Sequence, residues 1–180
     1  MTRRYMRLLA LGSALTLSAC AQQSEIKAMK HDVRTLNKTM TQLNQETLKI
    51  TQQNALNAKS DSGVYLLPEA NTPARLKSQI GTLRMSLVDV TRSGDETRAT
   101  LRIEGESSEP LPAFSATVAW GRIEGTTDSY QEVGVQNQRV TAPKSYLAPA
   151  DISIPLRLSG MDPASNAFVR IHDIQPAGDR

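Results

Sequence analysis

The chain has 180 residues, about the length of one domain, and is 39% hydrophobic but only 4% aromatic. Its one cysteine leaves no second thiol for an intrachain disulfide, and one cysteine with two histidines cannot supply the Cys/His spacing of a structural zinc site. The formal net charge is +3. The composition therefore excludes a disulfide scaffold and a Cys/His zinc domain.

Residues 1–19 have the three-part organisation of a secretory signal peptide. Arg3, Arg4 and Arg7 form a positive n-region, residues 8–17 form an apolar h-region, and residues 17–19 are small enough for a cleavage site. An apolar stretch of about ten residues is too short to span about 30 Å of hydrocarbon. We therefore predict that this segment is removed from the mature protein.

Cys20 directly follows this leader, in the sequence Leu17-Ser18-Ala19-Cys20. The motif resembles the lipobox of bacterial lipoproteins, which implies a diacylglyceryl thioether on Cys20, cleavage before it and fatty acylation, such as palmitoylation, of its amine. A thiolate is the strongest side-chain nucleophile for forming such a thioether. A signal peptide with an incidental cysteine is the alternative. Cys20 is the predicted lipidation site, and several acyl chains would hold the protein stably on a membrane.

Cleavage also changes the charge of the protein, because the three leader arginines account for the whole formal charge of +3. The mature chain is then neutral, and the basic isoelectric point gives no indication of nucleic-acid binding. By resemblance to the sorting of Gram-negative lipoproteins, Ala21 after the cysteine points to the outer membrane. We expect the protein on its periplasmic face.

Residues 20–59 are predicted to form a lipid-anchored helical stalk. Residues 22–59 contain no proline or glycine, and their apolar residues follow the 3-4 spacing of a coiled coil. The seam weakens toward its end, where polar Asn54 and Asn57 fall on it. An amphipathic helix lying on the membrane is the competing interpretation. The seam positions are Ile26, Met29, Val33, Leu36, Met40, Leu43, Thr47, Ile50, Asn54 and Asn57.

Residues 60–180 contain all nine prolines and nine of the ten glycines, and their apolar period shifts toward two. This pattern predicts a β-sandwich of immunoglobulin or fibronectin type. The fold class is therefore mainly β with an N-terminal coiled-coil helix. Residues 68–77 lack alternation and could hold a short helical turn. The predicted strands lie near 64–67, 82–91, 97–105, 114–123, 130–140, 151–158 and 167–174.

Few residues of this domain are candidates for catalysis or ligand binding. Trp120 shares its parity with Val118 and is predicted to fill the core between the sheets, with a ligand-stacking platform as the alternative. Arg98, Arg102 and Glu104 alternate on the opposite face of their strand, where we expect a solvated surface, with a carbohydrate or peptide groove left open.

Catalysis, cofactors and metals are not supported by the sequence. His31 lies on the outer side of the stalk, and His172 is expected to point away from its neighbour Asp173, since adjacent strand residues face opposite sides. Acid pairs such as Glu104 and Glu106 are expected by chance among eighteen acids. No nucleophile elbow or phosphate loop occurs. We predict a protein that is not an enzyme.

Three stretches resemble the YajI-like lipoproteins of enteric and related bacteria: residues 64–68, 116–121 and 169–175. Together with the lipobox and the heptads, the resemblance covers nearly the whole chain. That family has no assigned function, so the resemblance implies an envelope lipoprotein and transfers no site except Cys20.

Two function hypotheses follow. In the first, the stalk holds a periplasmic sandwich that binds or scaffolds another envelope protein or cell-wall component. In the second, residues 22–59 associate with copies of themselves or with another coil, and the protein is a structural spacer. An enzyme acting on cell-wall sugars or peptides is a minor third possibility.

Overall fold

The computed structural model describes the backbone of residues 14–177 and the side chains of residues 27–177. Residues 1–13, within the expected signal peptide, and the side chain of Cys20 lie outside it. A helix, α1, runs from Ala14 to Lys59. The chain divides into two compact units, the first ending at Gln45 and the second beginning at Glu46. None of the described helices is both long and apolar enough to cross a bilayer.

Eight strands follow the helix and form two four-stranded sheets. The first sheet has the order β1-β8-β5-β6 and the second has the order β2-β3-β4-β7, with antiparallel pairing throughout. The strands are β1 Val64–Leu66, β2 Ala74–Ser78, β3 Gly81–Ser93, β4 Glu96–Gly105, β5 Phe114–Thr126, β6 Ser129–Ala142, β7 Asp151–Ser159 and β8 Ala167–Pro176.

This architecture confirms the prediction of a mainly β protein with one N-terminal helix and a sandwich-like pair of sheets. The immunoglobulin or fibronectin type is not confirmed, since β1 pairs with the last strand β8, whereas the first strand of an immunoglobulin constant domain pairs with the second. The suggested helical turn over residues 68–77 is wrong for its second half, which forms β2. Only Ala74 is fully buried in this short edge strand, so its alternation is weak.

The inward rows of the two sheets form one core. Alternation along β4 buries Ala99, Leu101 and Ile103, and the facing strand β5 buries Phe114 and Val118. Each large apolar side chain contributes about 1.5–3 kcal/mol when it is withdrawn from water. This core is the main source of stability of the second unit.

A second, smaller core lies around Leu56, in the final turns of α1. It includes Tyr65 and Phe168, from two strands of the first sheet, and Ile123 from a third. The compact unit therefore starts within the helix, at Glu46, and takes in helical residues that the heptad pattern assigns to the stalk.

Two β-bulges interrupt the regular pairing of β6 and β8. Asp173 in β8 and Gly134 in β6 each lie beside a register shift that gives their strand an extra residue relative to β5. Both have positive φ, 52° for Asp173 and 63° for Gly134. Aspartate and glycine are among the residues that tolerate this left-handed conformation.

Candidate functional site

The part of α1 in the first unit exposes its apolar residues. Five of the predicted seam residues are more than half exposed, from 52% at Val33 to 68% at Met29. Residues spaced by three and four lie on one side of a helix. We call this set the helix stripe; it consists of Met29, Val33, Leu36, Met40 and Leu43.

The end of the helix has a different role, in which its polar residues bind a sheet edge. The Asn57 amide donates to the carbonyl of Tyr65 over 2.9 Å and accepts from its N–H over 2.7 Å. Gln53 accepts from the N–H of Leu67 over 2.8 Å and donates to the carbonyl of Thr72 over 3.1 Å. The Asn57 amide thus takes the place of a neighbouring strand beside β1. That the coil ends near this residue stays a prediction.

A half-buried polar cluster lies on the outer face of the first sheet. The Tyr65 hydroxyl donates to Glu132 over 2.5 Å, and Arg170 forms an ion pair with Glu132 at 3.1 Å. The Arg170 guanidinium also lies 5.7 Å from the centre of the Tyr65 ring, and the Tyr130 hydroxyl donates to that of Tyr65 over 3.3 Å. Burial and the hydrogen bond to Glu132 raise the pKa of Tyr65 well above its ordinary value.

No sequence pattern predicts this cluster, because its members come from three strands and share no local motif. The cluster lies over β1, β8 and β6, so its contacts connect these three strands across the sheet. Every charged group in it has an opposite charge beside it, and Tyr65 stays neutral. A protonated tyrosine that donates to a carboxylate is not an activated nucleophile, and the contacts of the cluster support the stability of the sheet.

His172 contradicts the expectation that it points away from Asp173. Its Nδ1 atom lies 2.8 Å from the Asp173 carboxylate. The bulge at Asp173 breaks the alternation of β8, so that neighbouring residues can meet on one side. A small cavity of about 210 Å³ lies beside the pair and is also lined by Ser62 and Ser78. Ser78 donates its hydroxyl hydrogen to the carbonyl of Gly81 and not to His172, as a nucleophile activated by that histidine would.

Trp120 lies in the core, as the strand parity predicts. Its side chain is 6% exposed, and its indole N–H donates to the carbonyl of Ser159 over 3.0 Å. An indole in this position cannot present its face to a ligand. Its edge borders a cleft of about 470 Å³ lined by glycine backbone at Gly121, Gly134 and Gly160.

Arg102 is exposed and Glu104 half-buried on the outer face of the second sheet, where a shallow groove of about 620 Å³ passes over them. Arg102 binds Asp151 through two nitrogens, over 2.6 and 3.0 Å, and this hydrogen bonding lowers the pKa of the Asp151 carboxyl. Arg75 pairs with Glu106 at 2.6 Å. Such exposed pairs contribute little stability, and they leave the groove charged but balanced.

Cys20 lies in the helical backbone, and no environment is described for its side chain. Within residues 27–177, no group of three or more His, Cys, Asp or Glu side chains is placed to hold a metal ion. Of the predicted residues, the structure thus brings together Arg102 with Glu104 and His172 with Asp173.

Comparisons with known proteins relate this chain to bacterial lipoproteins and to one family profile of unknown function. The profile of a family described as "Protein of unknown function (DUF3251)" matches residues 20–179. The "Uncharacterized lipoprotein YajI" of Escherichia coli K12 is 65% identical over 176 residues, which is 98% of each chain. The solution structure of that E. coli protein superimposes with a TM-score of 0.71, covering 76% of this chain and 81% of the other.

A more distant solved structure has the same overall fold. It is the Salmonella enterica "trimeric lipoprotein SadB", with 14% identity, a TM-score of 0.51, and coverage of 97% of this chain and 91% of that one. At this level of identity the likeness concerns the fold alone.

Proposed function

This chain belongs to the DUF3251 family of proteins of unknown function and is similar to the E. coli lipoprotein, and from that premise we propose that it is a non-enzymatic lipoprotein of the bacterial envelope. Cys20 carries the lipid on the periplasmic side of the outer membrane. The helix stripe joins copies of the chain into a parallel coiled coil. The sandwich is then displayed in several copies, and it binds another envelope component.

The observation that carries this proposal is the exposed helix stripe. Soluble proteins seldom leave a continuous row of large apolar residues exposed unless it meets a partner. The 3-4 spacing of Met29, Val33 and Leu36 fits a coiled-coil seam. Chains anchored at their N-termini in one membrane share an orientation, which favours a parallel coil, and their high local concentration supports pairing of a short one.

The number of helices in the coiled coil can be measured. The seam has β-branched Ile26 and Val33 at a positions of the heptad and Leu36 and Leu43 at d positions. This composition favours a coiled coil of two helices. The distant Salmonella protein is described as trimeric. A parallel dimer and a parallel trimer both satisfy the proposal.

The test is sedimentation equilibrium of residues 22–180, with Leu36→Lys as the disrupting variant. We expect the parent to associate as its concentration rises and Leu36→Lys to stay monomeric, because a lysine at the seam buries a charge. Leu48→Lys is the matched control, since Leu48 is 68% exposed but lies off the stripe. A parent that is monomeric at all concentrations, or an equal effect of both lysines, contradicts the coil.

The lipid anchor is tested separately by Cys20→Ala in the full-length chain. We expect the parent protein to fractionate with membranes and to incorporate labelled palmitate, and the variant to lose both properties. Unchanged membrane fractionation without the cysteine would overturn Cys20 as the anchor.

A further inference from the structure

Four charged side chains form one row across the outer face of the second sheet. The strand register places Arg75 of β2 opposite Arg84 of β3. Glu104 of β4 lies opposite Arg84 on one side and Asp151 of β7 on the other. Directly opposite residues of neighbouring strands share a face of the sheet. The row therefore has two arginines followed by two carboxylates, and all four line the groove of about 620 Å³.

The order of the charges in this row is not the order that favours stability. Like charges directly opposite each other on neighbouring strands destabilise a sheet, whereas opposite charges stabilise it. Arg75 meets a second arginine, and Glu104 meets a second carboxylate. A row with alternating signs would avoid both of these contacts. A local arrangement that lowers stability is typical of a functional site.

Two neighbouring side chains reduce the separation of charge without removing it. Glu106 pairs with Arg75 at 2.6 Å, and Arg102 binds Asp151 through two nitrogens. The β2–β3 half of the groove then has two arginines and one carboxylate, which leaves a formal charge of +1. The β4–β7 half has two carboxylates and one arginine, which leaves −1. The groove is neutral as a whole but polarised across the strands.

Arg84 and Glu104 retain hydrogen-bonding capacity for a ligand. Among the described residues, the only ion pair of Arg84 is with Glu104, and its length of 3.8 Å is too great for a hydrogen bond. Arg102 lies 3.3 Å from the Glu104 carboxylate but directs its hydrogen bonds to Asp151. Each half of the groove thus has one charged group that can bind an ion of opposite sign.

The strand spacing sets the length of a ligand that matches both halves. Adjacent strands lie about 4.8 Å apart, and the midpoint of β2 and β3 is two strands from that of β4 and β7, so the two halves are about 10 Å apart. An extended chain advances about 3.3 Å per residue. A peptide of three residues with free ends therefore spans the two halves, and a single amino acid does not.

We propose that this groove binds a short peptide of about three residues whose amine and carboxylate are both free. The carboxylate binds between Arg75 and Arg84, because a guanidinium donates paired hydrogen bonds to a carboxylate. The ammonium group binds between Glu104 and Asp151. The peptide lies across the strands, above the row of charges. This inference rests on the proposed binding role of the sandwich and names the class of its ligand.

The experiment is isothermal titration calorimetry of the mature, lipidated protein in a non-ionic detergent, with trialanine as the probe. We expect saturable binding with a Kd below about 1 mM. Acetylation of the amine, amidation of the carboxylate, or replacement of trialanine by alanine should each weaken binding by at least about tenfold, because each leaves one half of the groove unmatched. Absence of saturable binding overturns the proposal, and so does equal binding of any of these three compounds.

A matched pair of variants tests the position of the site. Arg84→Gln should weaken the binding of trialanine by at least about tenfold. Arg157→Gln is the control, since Arg157 is also an exposed arginine with a carboxylate at 3.8 Å but lies outside the groove. Equal affinities of the two variants would reject the groove as the site.

A double variant separates binding from folding. Arg84→Glu combined with Glu104→Arg keeps the composition and the net charge but makes the signs in the row alternate. We expect its Tm to be at least that of the parent and its binding of trialanine to fall by at least about tenfold. Unchanged binding by this folded variant would show that the order of charges has no role in recognition.

Failure of this inference can be distinguished from failure of the proposed function. Photo-crosslinking amino acids at Asn137 and Tyr146, both exposed and outside the groove, report contacts of the sandwich with other proteins in intact cells. Adducts without trialanine binding would keep a binding sandwich and reject the peptide ligand. Trialanine binding supports the inference with or without adducts. Absence of both would count against the ligand and against the binding role.

Discussion

At the scale of single residues, two amides decide how the helix meets the first sheet. Gln53 and Asn57 lie four residues apart on α1, so that both face the edge of β1. Each amide both donates to and accepts from the backbone of the segment that follows the helix. A side-chain amide can do this because it has a donor and an acceptor on one planar group.

We expect Asn57→Ala to lower the free energy of unfolding by about 1–3 kcal/mol, because it leaves the part-buried N–H and C=O of Tyr65 without a partner. Urea denaturation of residues 22–180 measures the effect. Asn54→Ala makes the same chemical change at an exposed helical position and should be neutral or stabilise by a few tenths of a kcal/mol. Equal effects of the two substitutions would refute a specific role of Asn57.

The pKa of Tyr65 gives a prediction at alkaline pH. Since its pKa is raised in the folded protein, the phenol ionises first in the unfolded chain, and its stabilising contribution is complete below about pH 10 and declines above it. Tyr65→Phe removes this dependence. The difference in free energy of unfolding between parent and variant should therefore narrow from about pH 9 to about pH 11. A difference that does not change with pH would show that Tyr65 titrates alike in both states.

At the scale of elements, α1 combines two kinds of surface in one continuous helix. The helix stripe uses seam positions up to Leu43, whereas the residues after Glu46 use Ile50, Gln53 and Leu56 against the sheet. Ile50, Gln53 and Leu56 are spaced by three residues, which is close to the 3-4 spacing of the heptad seam. The sequence therefore shows no break between the coiled-coil positions and the positions that contact the sheet. The final helical turns are therefore part of the folded domain.

This division predicts the outcome of truncation. A fragment of residues 60–180, the predicted domain, should be less stable than residues 46–180 by at least about 3 kcal/mol, because it loses the buried Leu56 and four amide hydrogen bonds. Thermal and urea unfolding of the two fragments measure this difference. Equal stability would mean that residues 46–59 add nothing to the fold and would support a domain boundary at residue 60.

At the scale of the whole molecule, the described residues form two units with different surfaces. The first unit exposes the helix stripe, which the proposed function assigns to contacts between copies of the chain. The second unit is a sandwich whose β1 edge is occupied by the amides of Gln53 and Asn57. The β6 edge carries the exposed Arg139, which donates to the Ser115 hydroxyl.

Features that depend on local pattern could be predicted from the amino-acid sequence. The change of period near residue 60 and the alternation along β4 are periodic, and a helix or strand converts such patterns directly into faces. The signal peptide, the lipidation of Cys20 and the coiled coil stay predictions from the sequence.

Features that depend on residues far apart in the chain required the three-dimensional structure. Strand β2 has a weak pattern because it is a short edge, and the order of the sheets follows from packing and not from propensity. The contact of His172 with Asp173 needs a bulge that alternation cannot reveal. In the sequence, Asn57 is a polar residue at a seam position of the heptad. Its role becomes clear only in the structure, where its amide binds the backbone of β1.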